Sequence, residues 1–173
     1  MIEAEQVFEL LLKNKMKLVT AESCTGGMVA AALTDIAGSS QVFERGFVTY
    51  SNDSKTELLG VAPWMLQTYG AVSPQIAKAM ADGALKNSKG DLAVSVTGIA
   101  GPGGGSAEKP VGLVYLALAS SSGHFLQTKL TCVPSLPRDR IRWNAARAAF
   151  QLILDAPFNP TDIAAARALQ KLA

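Results

Sequence analysis

The chain has 173 residues, 49% of them hydrophobic and 17% charged, with a formal net charge of +2. This composition excludes a disordered chain, and the small charge excludes a nucleic-acid binder built on a dense basic stripe. Two cysteines make no disulfide framework, no run of roughly 18 apolar residues spans a membrane, and the acidic start Met1-Ile2-Glu3-Ala4-Glu5 is unlike a secretory signal, so a cytoplasmic protein with no membrane partner is expected.

Residues 3–15 place Val7, Leu10, Leu11 and Lys15 at helical spacing, an amphipathic helix. The β-prone run 17–21 follows, then Ser23-Cys24-Thr25-Gly26-Gly27, then an Ala-rich helix over 28–36. Residues 42–50 read as a strand. Ser51-Asn52-Asp53 is capping chemistry before a short helix at 54–59, and residues 63–69 predict another. Ser73-Pro74 opens a helix to about residue 86, with serine at the cap and proline at the first helical position. A buried-type strand at 92–96 leads into a glycine-dense loop at 97–106. Strands at 111–119 and 125–132 form a hairpin, a long helix runs over 138–154, and a short Ala-rich helix over 161–172 follows Pro157 and Pro160. No repeat or linker divides the chain, so one domain over 1–173 is expected. Alternation of strands and helices, closed by a hairpin, predicts an α/β fold with a mixed sheet covered on both faces.

Four constellations carry potential chemistry. Ser23 to Gly27 lies at a strand-to-helix junction, where hydroxyls either cap a helix or face an anion at its N-terminus. Ser23 there is a candidate nucleophile, with N–H groups around Thr25, Gly26 and Gly27 as an oxyanion hole; Cys24 is the rival. A Cys–His pair would depend on the lone His124, in the hairpin turn. Tyr50-Ser51-Asn52-Asp53-Ser54-Lys55 marks a second such junction, and ligands bind outside the carboxyl ends of strands in sheets of this type. Lys55 is either a solvated helix lysine or, buried and neutral, a general base for Ser23. Residues 98–105 either cradle a phosphate or form a plain surface loop, and they match no Walker or dinucleotide pattern. Arg138-Asp139-Arg140-Ile141-Arg142 offers anion-binding guanidinium groups, although Arg142 and Arg147 can equally be solvated or paired with Asp139 and Asp155. One histidine and scattered acids make no metal site.

The run Ala21-Glu22-Ser23-Cys24-Thr25-Gly26-Gly27, the stretch 43–52 (FERGFVTYSN) with Lys55, and Gly70-Ala71-Val72-Ser73 recur in order with residues 96–106 (VTGIAGPGGGS) and Lys109-Pro110-Val111-Gly112. Together, over roughly residues 5–155, they resemble the CinA C-terminal domain family. The resemblance implies a three-layer α/β/α sandwich with a mixed, mostly parallel sheet. It implies deamidation of nicotinamide mononucleotide to nicotinic acid mononucleotide and ammonia, a pyridine-nucleotide salvage step with no metal or organic cofactor. By resemblance Ser23 is the nucleophile, and Lys55 and Tyr50 activate it. Thr25, Gly26, Gly27, Thr97, Gly98, Gly101 and Gly104 line the substrate site, and Arg140 contacts a phosphate or carboxylate, with Arg138 as its alternative. The family often has glycine before the acid–arginine pair where this chain has Arg138-Asp139-Arg140. A small nucleotide is the expected partner, and a homodimer the expected assembly. A catalytically silent pyridine-nucleotide-binding module is the other reading. Longer members carry an N-terminal domain without counterpart in these residues, and the segment after Pro157 has no family counterpart.

Overall fold

In the computed structural model, residues 1–157 and 159–170 are described, without the side chains of residues 164 and 167–170. The strand β3 (Leu92–Gly98) is buried along almost its whole length. A strand so placed must have both faces covered, which its apolar run Leu92-Ala93-Val94 anticipates. It is the centre of a five-stranded sheet formed with β1 (Leu18–Glu22), β2 (Phe43–Val48), β4 (Leu113–Ser120) and β5 (Phe125–Thr131), in the order β2-β1-β3-β4-β5. β1 pairs in parallel with β2 and β3, whereas β4 is antiparallel to both β3 and β5. Four strands therefore run one way and β4 alone is reversed, the mixed and mostly parallel sheet the sequence predicts.

Side chains alternate across the sheet with the period of two that a pleated strand imposes. Leu18, Leu92, Val94 and Val96 pack on one face against α1 (Ile2–Lys13), α2 (Met28–Thr34) and α6 (Arg138–Leu154). Val19, Ala21 and Ala93 pack on the other, against α3 (Asn52–Leu59), α4 (Pro63–Tyr69) and α5 (Pro74–Lys86). The result is an α/β/α sandwich. A last helix, α7 (Pro160–Gln170), adds Ile163 to the first of these clusters.

Most element positions follow the sequence reading, and the departures have local causes. α1 stops at Lys13, short of 15, because Lys15 takes a left-handed φ of 54°. α3 begins at Asn52, two residues early, because Ser51 is the cap and its hydroxyl accepts the Ser54 N–H at 3.1 Å. β3 runs on to Gly98, its last residues paired with Tyr115 and Val114. A 3-10 turn at Ser39–Gln41 carries no clear sequence signal. Positions 171 and 172 of the expected terminal helix lie outside the described residues.

Candidate active site

β1 ends at Glu22, and the chain turns sharply through Ser23 to Gly27 before α2 begins. The strand pleat decides what the two residues at this edge do. Glu22 points to the α2 side, where its carboxylate accepts the N–H groups of Gly27, Val29 and Ala30 at 2.9–3.0 Å. It is wholly buried, and these bonds together with the positive end of the helix dipole compensate its charge. Ser23 points the other way. Its N–H continues the parallel ladder onto Val96 O at 2.9 Å, and its hydroxyl oxygen lies 3.2 Å from Lys55 Nζ.

Lys55 reaches Ser23 from α3, in the opposite helical layer, and is only 1% exposed. Its Nζ also donates to Thr49 O at 2.7 Å and meets Ser51 O at 3.4 Å. Among the described residues no carboxylate pairs with it. Burial pushes its pKa below the usual lysine range, because a low-dielectric surround disfavours the ammonium form. Cys24, the rival nucleophile, is buried, and burial pushes its thiol up to about 11. At neutral pH Cys24 is therefore a protonated, unreactive thiol.

The remaining site residues divide. Gly26 and Gly27 take φ values of 60° and 95°, which the turn into α2 requires and which glycine adopts without strain. Their N–H groups are already engaged, Gly26 with Ser23 O and Gly27 with Glu22, so neither is free to hold an oxyanion as the sequence reading expects. Thr25 is buried, with its hydroxyl unpartnered among the described residues. Thr97 is also buried, and its hydroxyl donates to Ala71 O at 2.7 Å, tying the end of β3 to the loop before α5. Gly98 is required by packing, since a Cβ there would lie 2.7 Å from Val114 Cγ2. Gly101 and Gly104 turn the loop with φ of 73° and 84°.

Two expectations meet a different geometry. Tyr50 makes no side-chain hydrogen bond to Ser23 or Lys55 among the described residues. It is 63% exposed, and its hydroxyl accepts from Arg138 Nη2 at 3.0 Å. Arg140 is exposed and makes no hydrogen bond or ion pair among the described residues, because its position on α6 points away from the turn. Arg138, the alternative, lies at the glycine loop, donating to Gly101 O at 2.6 Å while holding Tyr50. One helical turn on, Arg142 donates through Nε to Cys24 O at 3.1 Å and through Nη2 to Thr25 O at 2.8 Å. Arg142 is half-buried on these carbonyls and not paired with Asp139, and Arg147 pairs with Glu3 instead of Asp155. The spacing of 138 and 142 was the available signal, because residues four apart share a helix face whereas 140 does not. Glu22 gave no such signal, because its role depends on where α2 lands. Among the described residues no group of three His, Cys, Asp or Glu is placed to hold a metal ion, and no helix is long and apolar enough to cross a membrane.

Comparisons with known proteins bear on the same residues. The model of the CinA C-terminal domain matches residues 2–156. The chain is 50% identical over 150 residues to nicotinamide-nucleotide amidohydrolase PncC of Escherichia coli, covering 87% of this chain and 90% of that protein. It is 57% identical over 116 residues to a competence-damage inducible protein of Caldicellulosiruptor bescii, covering 67% of this chain but only 28% of that longer protein. Among solved structures, the competence/damage inducible protein CihA from Agrobacterium tumefaciens superposes with a TM-score of 0.83 at 48% identity, over 88% of this chain and 94% of that one. The sheet order, the turn at Ser23 and the span of these matches lead to one assignment: the chain belongs to the CinA C-terminal domain family.

Proposed function

We propose that the protein is an amidohydrolase that converts nicotinamide mononucleotide and water to nicotinic acid mononucleotide and ammonia, with Ser23 as nucleophile and Lys55 as its general base. The observation that carries the mechanism is the 3.2 Å approach of Lys55 Nζ to Ser23 Oγ from a buried site with no carboxylate partner among the described residues. The substrate comes from the likeness to the PncC amidohydrolases, one of which this chain covers almost end to end.

As base, Lys55 must be neutral: its two N–H groups then stay on Thr49 O and Ser51 O, and its lone pair faces the Ser23 hydroxyl. Lys55 takes the hydroxyl proton as Oγ bonds to the carboxamide carbon, and the C=O electron pair moves onto oxygen. The tetrahedral intermediate then collapses, and the C–N bond breaks. The leaving nitrogen takes the proton from Lys55 and departs as ammonia. Water then bonds to the acyl carbon as Lys55 takes one of its protons, the Oγ–acyl bond breaks, Lys55 returns the proton to Ser23, and the acid leaves as its carboxylate with release of a proton. Arg138, held between Gly101 O and the Tyr50 hydroxyl at the glycine loop, supplies the cation for the substrate's phosphate. Tyr50 serves this arginine at the rim. Two buried, unpaired cysteines support a reducing compartment, the cytoplasm.

The test is ammonia release from nicotinamide mononucleotide. Ser23→Ala is expected to abolish turnover, and Lys55→Ala to lower kcat by about 10²–10⁴-fold, the usual worth of a general base. Saturable nucleotide binding by the wild type with no ammonia released would favour the silent binding module. Full activity in Ser23→Ala would remove the nucleophile.

A further inference from the structure

The turn that presents Ser23 is held from two sides. Lys55 grips the Ser23 side chain from the α3 layer, and Arg142 grips the main chain from the α6 layer. Arg142 spends its fork on two carbonyls, Cys24 O and Thr25 O, and no carboxylate pairs with it among the described residues. A half-buried guanidinium committed to main-chain carbonyls fixes the planes of their peptides. The Cys24–Thr25 peptide is trans, so its N–H points opposite to its C=O. With Cys24 O drawn toward α6, the Thr25 N–H is directed away from α6, to the side from which Lys55 reaches Ser23. It is also unspent. The neighbouring Ser23, Gly26, Gly27 and Met28 N–H groups donate to Val96 O, Ser23 O, Glu22 and Thr25 O, and of the two unspent N–H groups, Cys24 and Thr25, only that of Thr25 belongs to a peptide whose carbonyl Arg142 holds. The Thr25 N–H has no acceptor among the described residues.

We propose that the Thr25 main-chain N–H is the oxyanion donor of the Ser23 site and that Arg142 is the positioning residue that aims it. The proposal rests on the reading of Ser23 as nucleophile. As Oγ bonds to an acyl carbon, the carbonyl electron pair collects on oxygen, and a fixed N–H two residues beyond Ser23 meets that charge without reorganising. Gly26 belongs to the same device. A Cβ there would lie 3.4 Å from Arg142 Nη2, against the group that holds the turn, and its φ of 60° disfavours any side chain.

An activated ester separates this idea from the choice of amide substrate. With p-nitrophenyl acetate, the Ser23 Oγ–carbonyl bond forms and the ester C–O bond breaks. The proton passes to Lys55, and p-nitrophenolate leaves with the electron pair. The acylation rate and the mass of acetylated Ser23 are measured for wild type, Arg142→Lys and Arg142→Gln, alongside ammonia release from nicotinamide mononucleotide. Arg142→Gln is expected to acylate about 10²-fold more slowly, near the lower worth of one oxyanion donor. Arg142→Lys, which keeps the charge but not the two-pronged grip, is expected to fall between. Both should keep the KM and the pH midpoint of the acid limb, which a general loosening of the fold would move. If the glutamine variant unfolds, the lysine variant supports the same comparison. Acylation in a folded variant within about twofold of wild type, a loss explained wholly by KM, or a wild type never acetylated at Ser23 would each overturn the proposal. A wild type that is acetylated but releases no ammonia ends the amidase reading alone, and the variants' acylation rates still decide the role of Arg142.

Discussion

At the scale of single residues, the site depends on charges placed where each is costly or compensated. Glu22 is buried and compensated by three N–H groups, so it behaves as part of the backbone of α2. Lys55 is buried and uncompensated by any carboxylate among the described residues, which favours its neutral form at some cost to stability. Its lowered pKa has a definite sign in two measurements. Activity should rise with pH through the folded-state pKa of Lys55, since only the neutral amine accepts the Ser23 proton. Stability should also rise with pH between that value and the unfolded value near 10.5, because the unfolded chain binds the extra proton there. Lys55→Met lacks this titration. Thermal unfolding across pH should show the wild type gaining on Lys55→Met as pH rises from neutrality, and a constant difference would contradict a depressed pKa. Ser23 was legible in the sequence as a hydroxyl at a strand-to-helix junction, whereas the reading of its hydroxyl as a helix cap is not met, because Gly27 caps α2 with no side-chain bond. The commitment of the Gly27 N–H to Glu22 was not legible, because it depends on the angle at which α2 leaves the strand.

At the scale of elements, α3 must sit at a fixed depth for Lys55 to meet Ser23, and α5 sets that depth. Gly83 of α5 faces Leu59 at the end of α3, where a Cβ would lie 2.0 Å from Leu59 O. In an open helix, Gly→Ala stabilises by about 1 kcal/mol. Here that gain is outweighed by a clash with backbone, which costs roughly 1–3 kcal/mol or more. Gly83→Ala should therefore lower the denaturation midpoint and, by moving α3, lower kcat more than it raises KM. A stabilised, fully active variant would show that the contact is loose. The helix pattern of residues 74–86 was readable from Ser73-Pro74 and the apolar spacing. The reason for its glycine was not, since nothing local distinguishes a packing glycine from a tolerated one.

At the scale of the whole molecule, the site is a meeting of layers. Ser23 is at the carboxyl end of β1, Lys55 comes from the α3 layer, and Arg138 and Arg142 come from the α6 layer. α7 lies beyond the matched region of 2–156, yet Ile163 is 1% exposed in the core beneath α6. Removing residues 158–173 is expected to cost about 2 kcal/mol from the lost burial of Ile163, seen as a lower Tm, with ammonia release retained at temperatures where the chain stays folded. Loss of activity without loss of fold would place α7 in the site.

The order of elements, the burial of the central strand on both faces and the two strand-to-helix junctions were determined by the sequence alone, because periodicity, caps and glycines act within a few residues of where they stand. Which junction residues touch was decided only by the tertiary structure. Ser23 and Lys55 are separated by 32 positions, and Cys24 and Arg142 by 118. Whether such groups lie within 3 Å or on opposite sides of a helix depends on sheet register and helix depth. That is why the approach of Lys55 to Ser23, the hold of Arg138 on Gly101 and Tyr50, and the grip of Arg142 on the turn became visible only in the folded chain.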